Sequence, residues 1–194
     1  MNPHLKTLLA DLAAFGVTHD ADPANDARRM LNITSDTGEF LAVLAKAAGA
    51  RRILEIGTSN GYSTLWLADA VADVGGAVTT IELAHAKIEM ARANFARAGL
   101  DTRVTLLEGD AGTMLARLFD VSFELLFLDA QRSIYRDWWP DIRRILRPGG
   151  LLVVDNATSH ADEMADFMAA VRADRGFTTT LVPVGKGVFL AVKA

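Results

Sequence analysis

The 194-residue chain contains no cysteine and carries no excess of positive charge. The absence of cysteine excludes disulfide bonds, a thiol nucleophile and cysteine-based zinc sites. Lys and Arg together number 20 against 24 Asp and Glu, which gives a formal net charge of −4. Because basic residues do not cluster with aromatic ones, nucleic acid is not expected as a partner, whereas small acidic ligands stay open.

Long uncharged apolar runs are missing as well. No stretch reaches the roughly 18 consecutive apolar residues that a membrane-spanning helix needs, so no membrane partner is expected. The N-terminal segment MNPHLKTLLADLAAFG carries Lys6 and Asp11 within its apolar run, which argues against a signal peptide. The apolar content of 51% is that of a globular protein. We therefore expect a cytoplasmic protein that forms one domain over residues 1–194.

Short apolar runs alternate with amphipathic stretches from Arg51 onward. This alternation predicts a parallel sheet that is covered by helices on both faces. The motif LRPGG at 146–150 is expected to end the fourth of these helices. The predicted strands are RRILEI, AVTTIE, RVTLLEG, FELLFLD and LLVVDN, and the predicted helices span 61–73, 84–98, 111–118, 133–146 and 161–175.

The two ends of the chain depart from this alternation. The runs FTTTLVPV and GVFLAVKA are separated only by Gly185 and Lys186, a connection so short that it predicts an antiparallel hairpin. Residues 1–50 look helical, with no credible strand, and are expected to cover a core at 51–194. The predicted fold is therefore α/β and Rossmann-like, with a mostly parallel seven-stranded sheet and a C-terminal antiparallel hairpin.

The turn GTSNG follows the first predicted strand, where open α/β sheets bind their ligands. One hypothesis takes G-x-S-x-G as a nucleophile elbow, with Ser59, Asp129 and His160 in the chain order of α/β-hydrolases. That fold needs strands and an oxyanion loop ahead of the elbow, however, and here helices precede it. A second hypothesis, dinucleotide binding, requires G-x-G-x-x-G, whereas the spacing here is G-x-x-x-G.

A third hypothesis is a nucleoside cofactor without phosphates, S-adenosylmethionine (SAM). It requires a glycine turn for close backbone approach, a carboxylate for the ribose hydroxyls, and a polar and a small residue beside the adenine. Glu82 in TTIE and the pair Asp110-Ala111 in EGDA stand at the ends of the second and third predicted strands. The predicted fold, five β/α repeats followed by a hairpin, agrees with this hypothesis.

Several motifs in order carry a named resemblance, from about Met30 to the C-terminus. They are NITSDTGEFL, ILEIGTSNGYSTLWLA, IE, EGDA, LFLDA, LRPGGLLVVDN and PVGKG. With them the chain resembles the cation-dependent O-methyltransferases of the catechol and caffeoyl-CoA type, which have the class I methyltransferase fold. The resemblance implies methyl transfer from SAM to a hydroxyl of a small phenolic or catechol-like acceptor.

The resemblance also implies a cofactor site. Glu55 would lie beneath the methionine amino group of SAM, and Ser63 would bind its carboxylate. Glu82 would bind the ribose hydroxyls, and Asp110 with Ala111 would border the adenine. The remaining cofactor contacts are expected from Ile33, Gly57 and Thr58.

A metal site is implied at Asp129, Asp155 and Asn156. These residues follow the fourth and fifth predicted strands, so their side chains are expected to project from adjacent strand ends. Carboxylate and amide oxygens suit Mg²⁺, with Mn²⁺ or Ca²⁺ as alternatives. A metal that binds an acceptor hydroxyl lowers its pKa and favours the oxyanion that attacks the methyl group.

Departures from the family pattern bear mainly on the acceptor. Arg132 stands where many relatives carry a lysine that is assigned as the general base, and an arginine stays protonated in proteins. Arg132 is therefore expected to stabilise a phenolate or to bind an acidic group, while His160 is the candidate base. Lys186 replaces a residue that is frequently acidic. A non-catalytic SAM-binding protein remains the alternative function. A homodimer is not excluded by the sequence.

Overall fold

The computed structural model describes the chain over residues 1–194, apart from the side chain of residue 27. Seven strands form one sheet. They are β1 (Arg52–Ile56), β2 (Ala77–Glu82), β3 (Val104–Glu108), β4 (Phe123–Leu128), β5 (Leu146–Val154), β6 (Phe177–Val182) and β7 (Val188–Lys193). Their order across the sheet is β3-β2-β1-β4-β5-β7-β6. β1 to β5 pair in parallel, whereas β7 pairs antiparallel with both β5 and β6, which confirms the predicted hairpin and fold class.

Helices cover both faces of the sheet because the central strands are largely apolar and their successive side chains point to opposite faces. The helices are α1 (Pro3–Ala21), α2 (Ser35–Ala47), α3 (Tyr62–Ala72), α4 (His85–Ala98), α5 (Ala111–Leu115), α6 (Tyr135–Ile145) and α7 (Ala161–Ala173), with short 3₁₀ helices at Pro23–Arg28, Asp101–Arg103 and Arg132–Ile134. On β1, Ile53 packs into a cluster with residues of α1 to α4, whereas Leu54 and Ile56 pack into a second cluster with residues of α5 to α7.

The start of β5 was predicted wrongly. LRPGG was expected to lie outside the strand, yet β5 already begins at Leu146. The pairing of β4 with β5 shifts register here, from Phe123 opposite Leu146 to Leu125 opposite Leu151. Pro148 lies inside the shift and has no N–H to donate to the neighbouring strand. The extra residues therefore form a bulge within the strand.

The N-terminal cover contains α1 and α2, and the described residues before Arg52 form no strand. Asp20 near the end of α1 accepts hydrogen bonds from the backbone N–H groups of Met30 and Leu31, at 2.7 and 2.8 Å. These bonds fix the segment that crosses the carboxyl ends of the strands. Within the described part of the chain, no helix has the length and hydropathy that a bilayer crossing demands. That the whole chain forms one domain stays a prediction.

Candidate active site

One cavity of about 460 Å³ lies at the carboxyl ends of the parallel strands. It brings together residues that lie far apart in the sequence, because parallel strands end at the same edge of the sheet. Eleven of the residues predicted for the site line this cavity, whereas Glu55 and Asp155 do not. The eleven are Ile33, Gly57, Thr58, Ser63, Glu82, Asp110, Ala111, Asp129, Arg132, Asn156 and His160.

The turn after β1 is held against two neighbouring strands. The N–H of Gly57 donates to the carbonyl of Ile81 at 3.0 Å, and the N–H of Asp129 donates to the carbonyl of Ile56 at 3.0 Å. Gly57 has a φ of +102°, and a Cβ on it would lie 2.0 Å from the carbonyl oxygen of Asp129. Only glycine therefore allows the ends of β1 and β4 to meet below the cavity.

Ser59 is bonded to the backbone of the N-terminal cover. Its hydroxyl donates to the carbonyl of Met30 at 2.7 Å, and its N–H donates to Oε2 of Glu82 at 2.8 Å. No hydrogen bond joins the hydroxyl to His160 among the described contacts, so no base is placed to activate it. The geometry does not support Ser59 as a nucleophile.

Two carboxylates stand at the ends of β2 and β3 on one side of the cavity. Glu82 accepts the N–H groups of Ser59, Leu83 and Ala84, at 2.8, 2.9 and 2.9 Å, which fixes its orientation. A carboxylate has about four acceptor positions, so one stays available to a ligand hydroxyl. Asp110 accepts the backbone N–H and the hydroxyl of Thr113, and these bonds lower the pKa of Asp110 below its ordinary value.

Glu55 lies behind the cavity wall and does not line the cavity, and its predicted place beneath the methionine amino group stays a prediction. Its side chain is fully buried and accepts hydrogen bonds from the hydroxyls of Ser63, Thr64 and Thr80. Burial raises the pKa of Glu55 to about 7, against the opposing effect of these donors. Of the three hydroxyl residues, only Ser63 also lines the cavity. Ser63 therefore links the buried carboxylate of Glu55 to the cavity wall.

Asp129, Asp155 and Asn156 meet at the opposite side of the cavity. The amide nitrogen of Asn156 donates to Oδ1 of Asp129 at 3.0 Å and to Oδ2 of Asp155 at 3.2 Å. Burial, together with the nearby charge of Asp155, raises the pKa of Asp129 to about 7, and Lys186 opposes the rise. Burial likewise raises the pKa of Asp155. The other carboxylate oxygen of Asp155, Oδ1, is buried and has no described hydrogen-bond partner.

This cluster has two acidic side chains and one amide. A group of three or more His, Cys, Asp or Glu residues suited to a metal ion is not found among the described side chains. The third ligand would therefore have to be the amide oxygen of Asn156. In the structure its nitrogen faces the two carboxylates, so a half-turn of the amide group is needed to present the oxygen.

Arg132 and His160 line the same side of the cavity, and both have partners nearby. Nε of Arg132 donates to Oε2 of Glu163 at 3.0 Å, which ties the guanidinium to α7. The backbone N–H of His160 donates to the carbonyl of Asn156 at 3.0 Å, and its Nδ1 lies 2.9 Å from the hydroxyl of Ser159. Nε2 of His160 is therefore the ring nitrogen that remains available to a methyl acceptor.

Asn60, Lys87 and Trp138 are among the other residues that line the cavity, and none of the three was named as a cofactor, metal or catalytic residue from the sequence. The side-chain nitrogen of Asn60 is buried without a described hydrogen-bond partner, although this residue belongs to the GTSNG turn. Trp138 packs over the start of α5, where a Cβ on Gly112 would lie 3.0 Å from the indole nitrogen. The sequence does not indicate that Lys87 on α4 lines the cavity, because a charged residue on a helix is ordinarily solvated.

Comparisons with known proteins agree on one family. A family model described as O-methyltransferase matches residues 6–194. A Mycobacterium avium protein provisionally named an O-methyltransferase is 36% identical over 174 residues, which cover 83% of this chain and 78% of the relative. A crystal structure of a protein from Klebsiella pneumoniae, provisionally named in the same way, superimposes with a TM-score of 0.83 and 30% identity, covering 100% of this chain and 91% of that one. The O-methyltransferase TomG of Streptomyces achromogenes, involved in tomaymycin synthesis and solved in complex with SAM, has a TM-score of 0.76 and 27% identity, with 100% of both chains covered.

Proposed function

Because the chain belongs to the O-methyltransferase family, we propose that it transfers the methyl group of SAM to a hydroxyl of a small phenolic or catechol-like acceptor, with the aid of a divalent cation. The family membership agrees with the resemblance seen in the motifs. The observation that carries the proposal is the arrangement of a single cavity. A carboxylate that backbone N–H groups hold in place, and that suits a ribose, lies on one side, and a buried acidic pair lies on the other.

The side of the cavity formed by β1 to β3 supports cofactor binding. Glu82 is oriented by three backbone donors and keeps an acceptor position for a ribose hydroxyl. Asp110 and Ala111 border the adjoining space, with Trp138 packed nearby as a flat apolar surface for a purine. TomG, which covers the same length of chain, was solved with SAM. SAM, when bound, supplies a methyl group activated by its sulfonium sulfur.

The acidic pair fits a divalent cation. Two carboxylates are buried side by side with a single amide donor between them, and Oδ1 of Asp155 lacks any described partner. Such a pair is costly to ionise unless a positive charge offsets it. Asp129, Asp155 and the amide oxygen of Asn156 would hold the ion through hard oxygen ligands. The ion, when bound, lowers the pKa of an acceptor hydroxyl.

The remaining residues at this end handle the acceptor and its proton. In the transfer, the acceptor oxygen bonds to the methyl carbon, the bond from that carbon to sulfur breaks, and its electron pair stays on sulfur. The hydroxyl proton must leave, and Nε2 of His160 is the base the cavity wall offers. Arg132 stays protonated and paired with Glu163, so its role is to stabilise negative charge on the acceptor.

Calorimetry with SAM, followed by methyl transfer to a panel of small catechols with Mg²⁺ or EDTA, tests the proposal. Binding together with EDTA-sensitive transfer is the expected result. Transfer that persists in EDTA would overturn the cation, and binding without transfer to any acceptor would indicate a non-catalytic SAM-binding protein. No binding at all would contradict the proposal as a whole.

Asp155→Asn distinguishes loss of the metal site from loss of fold stability. The variant removes one of two buried like charges, so without a cation it should unfold at the same or a higher temperature than the wild type. It should also lose the Mg²⁺-induced rise in melting temperature and the EDTA-sensitive transfer, while it still binds SAM. Asp73→Asn, at the exposed residue that follows α3, is the matched control and should behave as the wild type.

A further inference from the structure

The turn between β6 and β7 is held against the candidate active site from one side by the segment that follows Asn156. The carbonyl of Lys186 accepts the N–H groups of Thr158 and Ser159, each at 3.1 Å. The carbonyl of Gly187 accepts the N–H of Ala157 at 2.8 Å. The turn is therefore bonded to the loop that carries part of the acidic cluster.

The start of α2 holds the same turn from the other side. The N–H of Gly185 donates to Oδ2 of Asp36 at 3.2 Å. Gly185 has a φ of +55°, and a Cβ there would lie 2.1 Å from the hydroxyl oxygen of Thr37. The backbone of Lys186 is thus wedged between two elements, and its side chain starts from a fixed point at the cavity.

Lys186 supplies a positive charge that is not part of any described ion pair. It lines the cavity together with Asp129, Arg132 and His160, and its residue is exposed. Arg132 is paired with Glu163. No described carboxylate forms an ion pair with Lys186. Its ammonium group therefore forms no ion pair with the acidic pair, although its charge opposes the rise in the pKa of both carboxylates.

We propose that Lys186 binds an anionic substituent of the acceptor, so that the enzyme selects hydroxylated aromatic acids over neutral phenols. This inference rests on the proposed function, because it concerns the acceptor of the same reaction. An ammonium group gives a carboxylate a charge-assisted hydrogen bond, stronger than a bond between neutral groups. At the wall of a partly enclosed cavity, such a contact corresponds to a preference of about tenfold to a hundredfold.

Two acceptors that differ in one charge provide the test. Protocatechuate carries a ring carboxylate beside its catechol hydroxyls, and the corresponding primary amide keeps the size without the charge. The wild type should show a higher kcat/KM for the acid than for the amide, through a lower KM. Lys186→Met should lose this preference about tenfold or more, Lys186→Arg should keep most of it, and Lys186→Glu should favour the amide.

A binding measurement and a control separate this inference from the proposed function. In the presence of S-adenosylhomocysteine, calorimetry should show weaker binding of protocatechuate to Lys186→Met and unchanged binding of the amide. Lys46→Met, at an exposed lysine in the last turn of α2, should match the wild type. Equal use of acid and amide by the wild type, or a preference that survives in Lys186→Met, would overturn the inference and leave the methyltransferase proposal intact. Failure of SAM binding and of all transfer would overturn both.

Discussion

The hydroxyl of Ser63 donates to Oε1 of Glu55 across 2.5 Å, while the same serine lines the cavity. Its proton is thus committed to the buried carboxylate, and only its lone pairs remain for a ligand. In this state Ser63 suits the ammonium group of a methionine moiety better than the carboxylate predicted for it. If Glu55 takes up a proton, the hydroxyl of Ser63 becomes free to donate. Glu55 therefore sets what Ser63 offers to the cofactor.

Glu55→Gln should change how stability depends on pH. Burial raises the pKa of Glu55 to about 7 in the folded protein, above the ordinary value near 4.5, so the folded state binds a proton that the unfolded state has released. This contribution is fully present below the unfolded pKa and is lost as pH rises through about 7. Urea unfolding should show the wild type losing roughly 2–3 kcal/mol relative to the variant between pH about 5 and about 8. Asp129 and Asp155 are present in both proteins, so their own titration cancels from the difference except for the effect of the Glu55 charge on the pKa of Asp129.

Glu89→Gln provides the control for this experiment, since Glu89 is an exposed residue on α4. It should track the wild type at both pH values. A difference between wild type and Glu55→Gln that does not vary with pH would contradict the assignment of a raised pKa to Glu55.

Gly57→Ala should destabilise the fold by several kcal/mol and abolish cofactor binding. The added Cβ would lie 2.0 Å from the backbone carbonyl of Asp129, and a φ of +102° is strained for alanine. Gly75→Ala is the matched control, because Gly75 has a φ of +70° and open space around it. The control should cost only about 1–2 kcal/mol from backbone strain. Equal urea midpoints for the two variants would show that the approach to Asp129 is not what the glycine provides.

Much of the fold was predictable because it follows from local patterns. Strand and helix alternation, the short connection at Gly185 and Lys186, and acidic residues at strand ends all depend on near neighbours in the sequence. Parallel strands then bring their ends together, which is why Glu82, Asp110 and Asp129 share one cavity. The bulge around Pro148 was missed because helix-ending residues and strand bulges use the same amino acids.

The features of the site that local patterns do not give depend on side-chain direction and on distant contacts. Alternation along β1 groups Glu55 with Ile53, away from Leu54 and Ile56, and this pattern could have placed the carboxylate under α3. The pairing of Arg132 with Glu163 joins residues that are 31 positions apart, and no local pattern encodes it. The orientation of the Asn156 amide depends in the same way on side chains brought in by two different strands.

Glu82→Gln should weaken SAM binding about tenfold without unfolding the protein. The amide can keep one oxygen on the N–H groups of Leu83 and Ala84, but it loses the charge and the second acceptor that face Ser59 and the ribose. Glu108→Gln is a close control, because Glu108 stands opposite Glu82 in the register of β2 with β3 and does not line the cavity. Calorimetry should separate the two. A similar loss of affinity in the Glu108 variant would show that strand-end charge in general, and not the contact at Glu82, governs binding.

His160 and Arg132 should affect the transfer differently, because only one of them can accept a proton. His160→Gln is expected to lower kcat, since the base is gone, and added imidazole is expected to restore part of the rate. Arg132→Gln is expected to lower kcat as well, because the guanidinium contributes charge alone, and imidazole should not restore that rate. Steady-state rates at saturating SAM and acceptor, with and without imidazole, give the comparison. Glu163→Gln should lower kcat less than Arg132→Gln, since it frees the guanidinium without removing it. A His160→Gln variant that keeps the kcat of the wild type would assign the proton transfer elsewhere.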